Sequence, residues 1–246
     1  MKEIWRNQIY DSYISNIFEE AHSRKNEMEL QFRYYKRNYL RYLPADKRAQ
    51  ILELGTGMGH FYNFCMRSGY RNYAGIDLSS ENIAYIKKII NPKARVRQAE
   101  ICDFLKKAKR ETYDAVILND VIEHLTKDEI FEVLYGVKEI LKKNGVFLIK
   151  TLNMANLFVS TAGRYIVIDH ESGFTETSMK EVLRICGYKD ISIVGTDVYV
   201  LNPFISLPAK LVSKMINRAL FLLSALYGRT SLHIFEKDIL AIAYKK

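Results

Sequence analysis

An apolar strand runs directly into a glycine turn in Gln50-Ile51-Leu52-Glu53-Leu54-Gly55-Thr56-Gly57-Met58-Gly59. A predicted helix follows and ends at Gly69, and a second predicted strand ends just before Asp77. Glycine adopts positive φ and allows close approach to a ligand, and a helix N-terminus offers N–H groups and a positive dipole end. Asp77 lies where one acid can bind two ribose hydroxyls. The unit therefore predicts a nucleoside-containing cofactor across the first two strand ends.

The glycine spacing and Glu53 indicate which kind of cofactor binds. A dinucleotide fingerprint is Gly-x-Gly-x-x-Gly, but here the third glycine comes one residue early and His60 takes its place. Glu53 would repel a pyrophosphate and would suit an ammonium group. This pattern resembles motif I of the class I S-adenosylmethionine-dependent methyltransferases, with Asp77 as their motif II acid. The resemblance extends over approximately Ile51 to Lys150.

The resemblance implies that S-adenosyl-L-methionine is the cofactor. The implied cofactor-binding residues are Glu53, Gly55, Thr56, Gly57, Gly59, Asp77, Leu78, Glu100, Ile101 and Asn119. Glu100 aligns with the acid that accepts a hydrogen bond from the adenine amino group, and Ile101 would donate a backbone N–H. The family usually has Gly-Asp-Ala here, so Asp103 is a competing candidate for the acid.

Strands and helices alternate from residue 50 to residue 151. The predicted strands are Gln50–Leu54, Tyr73–Ile76, Arg95–Gln98, Asp114–Leu118 and Val146–Thr151. Ser79 caps a predicted helix over Glu81–Ile90, and a capping box at Thr126 begins another helix that ends near Lys143. The alternation predicts an α/β fold with a Rossmann-like, doubly wound, mostly parallel sheet.

The pattern changes after residue 151. Thr175 caps a predicted helix that ends near Cys186, and strands are predicted at Ile191–Leu201 and Ile239–Tyr244. The resemblance implies that the last two strands pair antiparallel, which makes a seven-stranded sheet with an antiparallel last strand. We predict an N-terminal helical cap at residues 1–44, a cofactor-binding core at 45–201, a helical insert at 202–237 and the last core strand at 238–246.

The fourth predicted strand ends in Asn119-Asp120-Val121-Ile122-Glu123-His124-Leu125. This segment is similar to motif IV of ubiquinone-biosynthesis and small-molecule O-methyltransferases. It contains no proline, unlike the Asn/Asp-Pro-Pro-Tyr/Phe motif of amino-methylating nucleic-acid enzymes, and none of the three cysteines fits the nucleophile of cytosine C5 enzymes. Methyl transfer depends mainly on alignment, but a hydroxyl acceptor also needs a base.

His124 and His170 are the candidate catalytic bases, because the pKa of histidine lies near neutrality. His124 follows the fourth strand, near the expected position of the methyl group, and an orienting or structural role is the alternative. His170 lies in a segment that resembles the His-x-x-x-Phe-Thr loop of the family, and it is expected to touch the acceptor.

No metal site is predicted. Asp120, Asn153 and Asp169 suggest a divalent ion of the catechol-enzyme type, but their spacing differs from the expected one. The 3 cysteines are scattered singly without a Cys-x-x-Cys motif, so structural zinc is not expected and a reducing compartment is.

Composition limits the possible partners. The chain has 246 residues, 48% hydrophobic content and a net charge of +9. No signal peptide or bilayer-length apolar run is apparent, so a cytoplasmic location is expected. The positive charge favours anionic partners such as nucleic acid, phosphorylated substrates or an acidic membrane surface.

The insert carries a predicted amphipathic helix from Pro208 to Tyr227. Lys210, Lys214 and Arg218 recur every four residues on one face. Such a helix can contact an anionic membrane at the inner face or line a site for a phosphorylated or lipid-linked acceptor, and the alternative is that its apolar face packs on the domain.

The sequence favours an enzyme that methylates a sugar hydroxyl of a bacterial surface-glycan precursor. An RNA methyltransferase is the alternative enzyme, supported only by the charge. A non-catalytic partner subunit with the same fold is a further alternative, which the intact glycine turn and Asp77 disfavour. The acceptor is expected to be a small molecule or glycan, with nucleic acid disfavoured, and the oligomeric state is left open.

Overall fold

A seven-stranded sheet forms the centre of the computed structural model, which describes Ile9 and residues 27–165, 167–196 and 203–246. The strands are β1 (Gln50–Leu54), β2 (Asn72–Asp77), β3 (Val96–Gln98), β4 (Tyr113–Asn119), β5 (Leu141–Leu152), β6 (Lys189–Gly195) and β7 (Asp238–Tyr244). Their spatial order is β3-β2-β1-β4-β5-β7-β6. The pairs up to β5 are parallel, while β7 runs antiparallel to both β5 and β6. The predicted fold class is confirmed.

Helices cover both faces of the sheet. They are α1 (Glu27–Asn38), α2 (His60–Arg67), α3 (Ser80–Tyr85), α4 (Ile101–Lys107), α5 (Lys127–Ile140), α6 (Leu157–Thr161), α7 (Glu176–Ile185) and α8 (Pro203–Leu226). A π-helical segment, Ile86–Ile90, continues α3, and 3-10 turns lie at Ile122–His124 and Gly163–Tyr165. The predicted caps form: Thr126 and Glu129 make a capping box at α5, and the Thr175 hydroxyl accepts from the Ser178 N–H at α7.

Two hydrophobic clusters fill the space between the sheet and these helices. One joins β1, β4 and β5 to α4, α5 and α7 through residues such as Val133 and Met179. The other joins the opposite face to α1, α2 and the α3 region, and it is rich in aromatic rings, including Tyr35, Tyr39 and Phe61. Burying both faces explains why the central strands are continuous apolar runs.

Two predicted boundaries were wrong. Helix α5 ends at Ile140 rather than near Lys143, because the chain there already pairs with the start of β4: Tyr113 faces Leu141 in the ladder. The predicted Asn144-Gly145 turn becomes an irregularity within β5, with Asn144 at φ 62°. The insert helix begins at Pro203 and includes Pro208 rather than beginning there.

Parts of other predictions fall outside the described residues, namely positions 10–26 of the N-terminal helices and positions 197–202 after β6. Among the helices that the structure does describe, none combines the length and the apolar character that crossing a bilayer demands.

We expect Gly59→Ala to lower the free energy of unfolding by about 2–5 kcal/mol. The backbone at Gly59 has φ 77°, and an added Cβ would lie 2.8 Å from Ile86 Cγ1 and 2.9 Å from Ile90 Cδ1. Left-handed backbone costs about 1–2 kcal/mol in a non-glycine residue, and overpacking adds about 1–3 kcal/mol.

Gly228→Ala is the matched control, because Gly228 has φ 71° with no atom within 4 Å of the added Cβ. It should show the backbone effect alone, about 1–2 kcal/mol. Urea denaturation of both variants measures the difference, and equal losses would contradict the packing argument.

Candidate active site

The glycine turn closes over the ends of the first two strands. The backbone N–H groups of Gly55 and Thr56 both donate to the Ile76 carbonyl, at 2.8 and 3.1 Å. The Gly57 N–H donates to Asp77 Oδ2 at 2.7 Å. Gly55, Gly57 and Gly59 all have positive φ, so the turn requires the glycines that the sequence contains, and α2 begins directly behind it.

Asp77 is the anchor of this turn. Its side chain is 6% exposed, and its second oxygen, Oδ1, accepts from the Ser79 N–H at 2.8 Å and from Asn82 Nδ2 at 3.1 Å. Burial raises the pKa of Asp77 despite these bonds. Leu78 follows, and its carbonyl accepts from Gln98 Nε2 at 3.0 Å. The predicted ribose contact of Asp77 therefore rests on a carboxylate that the protein already holds in place.

Glu53 lies beneath the turn in a buried polar network. Only 2% of the residue is exposed. Tyr73 donates a short hydrogen bond to Oε2, and Asn119 Nδ2 donates to Oε1 at 3.3 Å. Tyr39 of α1 donates in turn to Asn119 Oδ1 at 2.6 Å. Burial raises the pKa of Glu53 to about 8, which favours the neutral carboxyl group, and an adjacent ammonium group would favour its ionised form.

Glu100 caps helix α4. Its Oε1 accepts from the Cys102 N–H at 3.1 Å and its Oε2 from the Asp103 N–H at 2.8 Å. Ile101 is the first residue of that helix, and Asp103 lies exposed on its first turn. The adenine contacts of Glu100 and Ile101 stay predictions. The capping bonds give Glu100 a structural role that the sequence analysis did not predict.

The end of β4 carries an ion pair that sequence reasoning missed. Asp120 has φ 51°, and its carboxylate lies 2.5 Å from Lys150 Nζ on β5. The side chain of Lys150 is only 13% exposed and lies beneath the Tyr34 ring of α1, 5.6 Å from the centroid. One sequence feature could have indicated this ion pair: Lys150 is the one charged residue in the otherwise apolar stretch from Val146 to Thr151 of β5.

His124 and His170 come together, although 45 residues separate them. Their ring centroids are 4.7 Å apart. His124 Nδ1 lies 2.9 Å from Asp169 Oδ2, and His170 Nδ1 lies 3.0 Å from the Gly163 carbonyl oxygen. Burial disfavours the charged form of His124, but the Asp169 contact and nearby carboxylates outweigh it and raise its pKa. Burial, together with the charge of His124, lowers the pKa of His170.

Glu123 joins this histidine pair. It is 3% exposed, and its Oε2 accepts from Thr151 Oγ1 at 3.0 Å. Its backbone carbonyl accepts from the N–H groups of Glu171 and Ser172, which holds the loop after β5 against the end of β4. The motif at the end of β4 contains Glu123, but the sequence indicated no role for it. Sequence alone does not show that this side chain faces the loop after β5.

The three polar residues considered for a divalent ion serve separate purposes. Asp120 pairs with Lys150, and Asp169 contacts His124. Asn153 Nδ2 donates to the carbonyls of Ile234 and Glu236, both at 2.9 Å. Asn153 thus fastens the segment before β7 to the loop after β5.

The family follows from comparison with known sequences. A profile of the methyltransferase domain matches residues 27–193. The chain belongs to this family. Its membership confirms the resemblance to the class I S-adenosylmethionine-dependent methyltransferases and, with it, S-adenosylmethionine as the cofactor. No curated protein matches the chain.

Solved structures share the fold at low sequence identity. A SAM-dependent methyltransferase from Archaeoglobus fulgidus is 20% identical over 89% of this chain and 94% of its own, with a TM-score of 0.65. A complex of the Haloferax volcanii Trm112 activator and a putative methyltransferase contains a chain that is 14% identical to this one. The match covers 96% of this chain and 97% of that one, with a TM-score of 0.66.

A third similar structure is Haemonchus contortus phosphoethanolamine N-methyltransferase 2 in complex with phosphomonomethylethanolamine and S-adenosylhomocysteine. It is 17% identical over 83% of this chain and 50% of its own, with a TM-score of 0.58. At these identities the three neighbours establish the fold, and the acceptor has to be inferred from this chain's own residues.

We expect Asp77→Ala to weaken binding of S-adenosylmethionine by ~1.5–3 kcal/mol, the value of charge-assisted hydrogen bonds. The variant loses both the predicted ribose contact and the bond that fixes Gly57. Isothermal titration calorimetry measures the loss. Asp128→Ala, at an exposed position in the first turn of α5, is the control and should bind normally. An unchanged affinity in Asp77→Ala would contradict the assignment.

Proposed function

We propose that the protein transfers the methyl group of S-adenosylmethionine to a hydroxyl oxygen, and that the acceptor is a sugar in a bacterial surface-glycan precursor. The observation that carries the oxygen assignment is the pair His124 and His170, with Asp169 behind His124 at 2.9 Å. A neutral hydroxyl has to lose a proton during methyl transfer, whereas the departing thioether needs no acid. The histidine pair offers the site a general base that can accept that proton.

The environments of the two rings differ. Burial and the charge of His124 lower the pKa of His170, which favours the neutral ring that can accept a proton. Contacts with carboxylates raise the pKa of His124, which favours its charged form. The contact with Asp169 fixes the orientation of the His124 ring, as a carboxylate does for a catalytic histidine. Both histidines follow strands that end at the carboxyl edge of the sheet, where open parallel sheets bind their ligands.

The insert between β6 and β7 supports a large or membrane-associated acceptor. Because β6 runs parallel to β5, both β6 and the start of β7 meet the carboxyl edge, and the insert leaves and returns there. Asn156 Nδ2 donates to the Phe235 carbonyl at 2.7 Å, which ties the returning segment to the loop after β5. We infer that the insert forms part of the acceptor-binding rim.

Helix α8 has the surface of a membrane-contacting element. Leu211, Met215 and Ile216 are 56%, 72% and 47% exposed, so the alternative in which this apolar face packs on its own domain is disfavoured. Lys214 and Arg218 are exposed beside them. Apolar side chains next to a basic stripe favour the surface of an anionic bilayer, where a lipid-linked glycan precursor would be presented.

We expect His124→Asn and His170→Asn each to lower turnover by ~10²–10⁴-fold, because general base catalysis contributes about that much. The affinity for S-adenosylmethionine should change little, since neither ring belongs to the glycine turn. Turnover is followed by the mass gain of nucleotide-linked and lipid-linked sugar acceptors incubated with methyl-labelled cofactor.

The same assay, with RNA offered beside the sugar acceptors, tests the function itself. Label in a sugar hydroxyl supports the proposal, whereas label found in RNA and in no sugar would replace it with the RNA methyltransferase alternative. Near wild-type turnover in both histidine variants would contradict a hydroxyl acceptor activated at this site.

We expect reversal of Lys210, Lys214 and Arg218 to glutamate to weaken binding to phosphatidylglycerol-containing liposomes by at least ~100-fold, because each basic residue near such a surface contributes about 1 kcal/mol. Cofactor binding should be intact, and the loss should shrink at high salt. The matched control reverses the exposed Lys87, Lys88 and Lys93, which changes the net charge equally. Equal loss in both triple variants would show a nonspecific charge effect and contradict the role of α8.

A further inference from the structure

Three potential metal ligands converge beside the expected methyl position. Glu123, His124 and His170 each present one ligand atom, and these atoms lie within 4.8 Å of one another. Glu123 and His124 belong to the 3-10 turn after β4, whereas His170 comes from the loop after β5. The fold therefore brings His170 to the adjacent Glu123 and His124, so that two imidazoles and one carboxylate meet.

Outer contacts fix each of the three side chains. His124 Nδ1 contacts Asp169 at 2.9 Å, and His170 Nδ1 contacts the Gly163 carbonyl at 3.0 Å. The Gly163 carbonyl can accept only from a protonated Nδ1, which leaves Nε2 of His170 as its ligand atom, and the closeness of Asp169 to His124 Nδ1 favours the same choice there. Thr151 donates to Glu123 at 3.0 Å. Metal-binding histidines usually donate their second nitrogen to a carboxylate or a carbonyl, as His170 does, and the carboxylate ligands are themselves hydrogen-bonded.

The spacing and burial suit an ion. Ligands about 2.1 Å from a tetrahedral zinc ion lie roughly 3.4 Å apart, and the three ligand atoms lie within 4.8 Å of one another, so small side-chain shifts that keep the outer contacts would bring them to coordination distance. Glu123 is 3% exposed and His170 is 8% exposed. A carboxylate buried to this degree is costly unless a cation or hydrogen bonds compensate it. Two nitrogen ligands and one oxygen favour zinc, iron, manganese or cobalt over calcium and magnesium.

We propose that Glu123, His124 and His170 bind a divalent transition-metal ion that takes the acceptor's hydroxyl oxygen as a further ligand. The second half of this proposal rests on the hydroxyl acceptor proposed above. The ion lowers the pKa of the bound hydroxyl, which releases its proton to water. The oxygen then forms a bond to the methyl carbon as the carbon–sulfur bond breaks, and the electron pair stays on the sulfur of the neutral thioether. With the ion bound, the two histidines are ligands and act on the hydroxyl through the ion, which replaces the direct proton acceptance described under the proposed function.

The experiment measures metal binding directly. The full-length protein, freed of metal with a chelator, is titrated with Co²⁺ alone and with Zn²⁺ alone, without cofactor or acceptor. Calorimetry should show one ion per chain, and bound Co²⁺ should give visible d–d absorption. Glu123→Gln, His124→Asn and His170→Asn should each abolish the absorption, and Asp169→Asn should weaken binding by ~10–100-fold, as loss of an outer partner does.

His233→Asn is the matched control, since His233 is an exposed histidine packed on Phe221, and it should bind Co²⁺ like the wild type. Circular dichroism confirms that each variant is folded. Absence of stoichiometric Co²⁺ and Zn²⁺ binding by the wild-type protein would overturn the metal site, as would unchanged binding in the three ligand variants.

The outcome separates this proposal from the function on which it rests. If no ion binds but sugar hydroxyls are still methylated in the presence of chelator, the metal site is wrong and direct proton acceptance by the histidines stands. If an ion binds with the expected variant pattern but no hydroxyl is methylated, the metal site stands and the proposed acceptor is wrong.

Discussion

A carboxyl group buried at the end of β1 constrains much of the structure around it. Glu53 has to be hydrogen-bonded because almost none of it reaches solvent. Tyr73 reaches it from β2, and this is possible only because residue 75 is glycine: a Cβ there would lie 2.9 Å from the Tyr73 hydroxyl. Asn119 reaches it from β4 and is held by Tyr39 of α1. One buried acid thus links three strands and the first described helix.

The same network connects the two halves of the site. Asn119 ends β4, and the turn that carries Glu123 and His124 begins three residues later. The predicted cofactor-binding residues Glu53, Asp77 and the glycine turn are therefore joined through one strand to the histidine pair. Methyl transfer requires alignment of two reactants, and a rigid connection between the two groups of residues suits that requirement.

Two additions to the core meet at the carboxyl edge of the sheet. The loop after β5 brings in Asp169 and His170, and the insert with α8 leaves and returns at the same edge. Asn153 and Asn156 bond these two segments together. The three structures compared above share the fold with this chain at no more than 20% identity.

The sequence by itself determined the fold class, the glycine turn, the caps of α5 and α7 and the acid at the end of β2, because these features depend on local backbone preferences and short-range periodicity. Only the tertiary structure decided where α5 ends, since pairing of Leu141 with Tyr113 overrides helical propensity. It also decided that Glu100 caps a helix, that Lys150 pairs with Asp120, and that Glu123 faces His170. The cap at Glu100 is a local contact whose side-chain direction the sequence does not reveal. The other two contacts join segments that are distant in sequence, and the order of β4 and β5 in the sheet brings those segments within reach of one another.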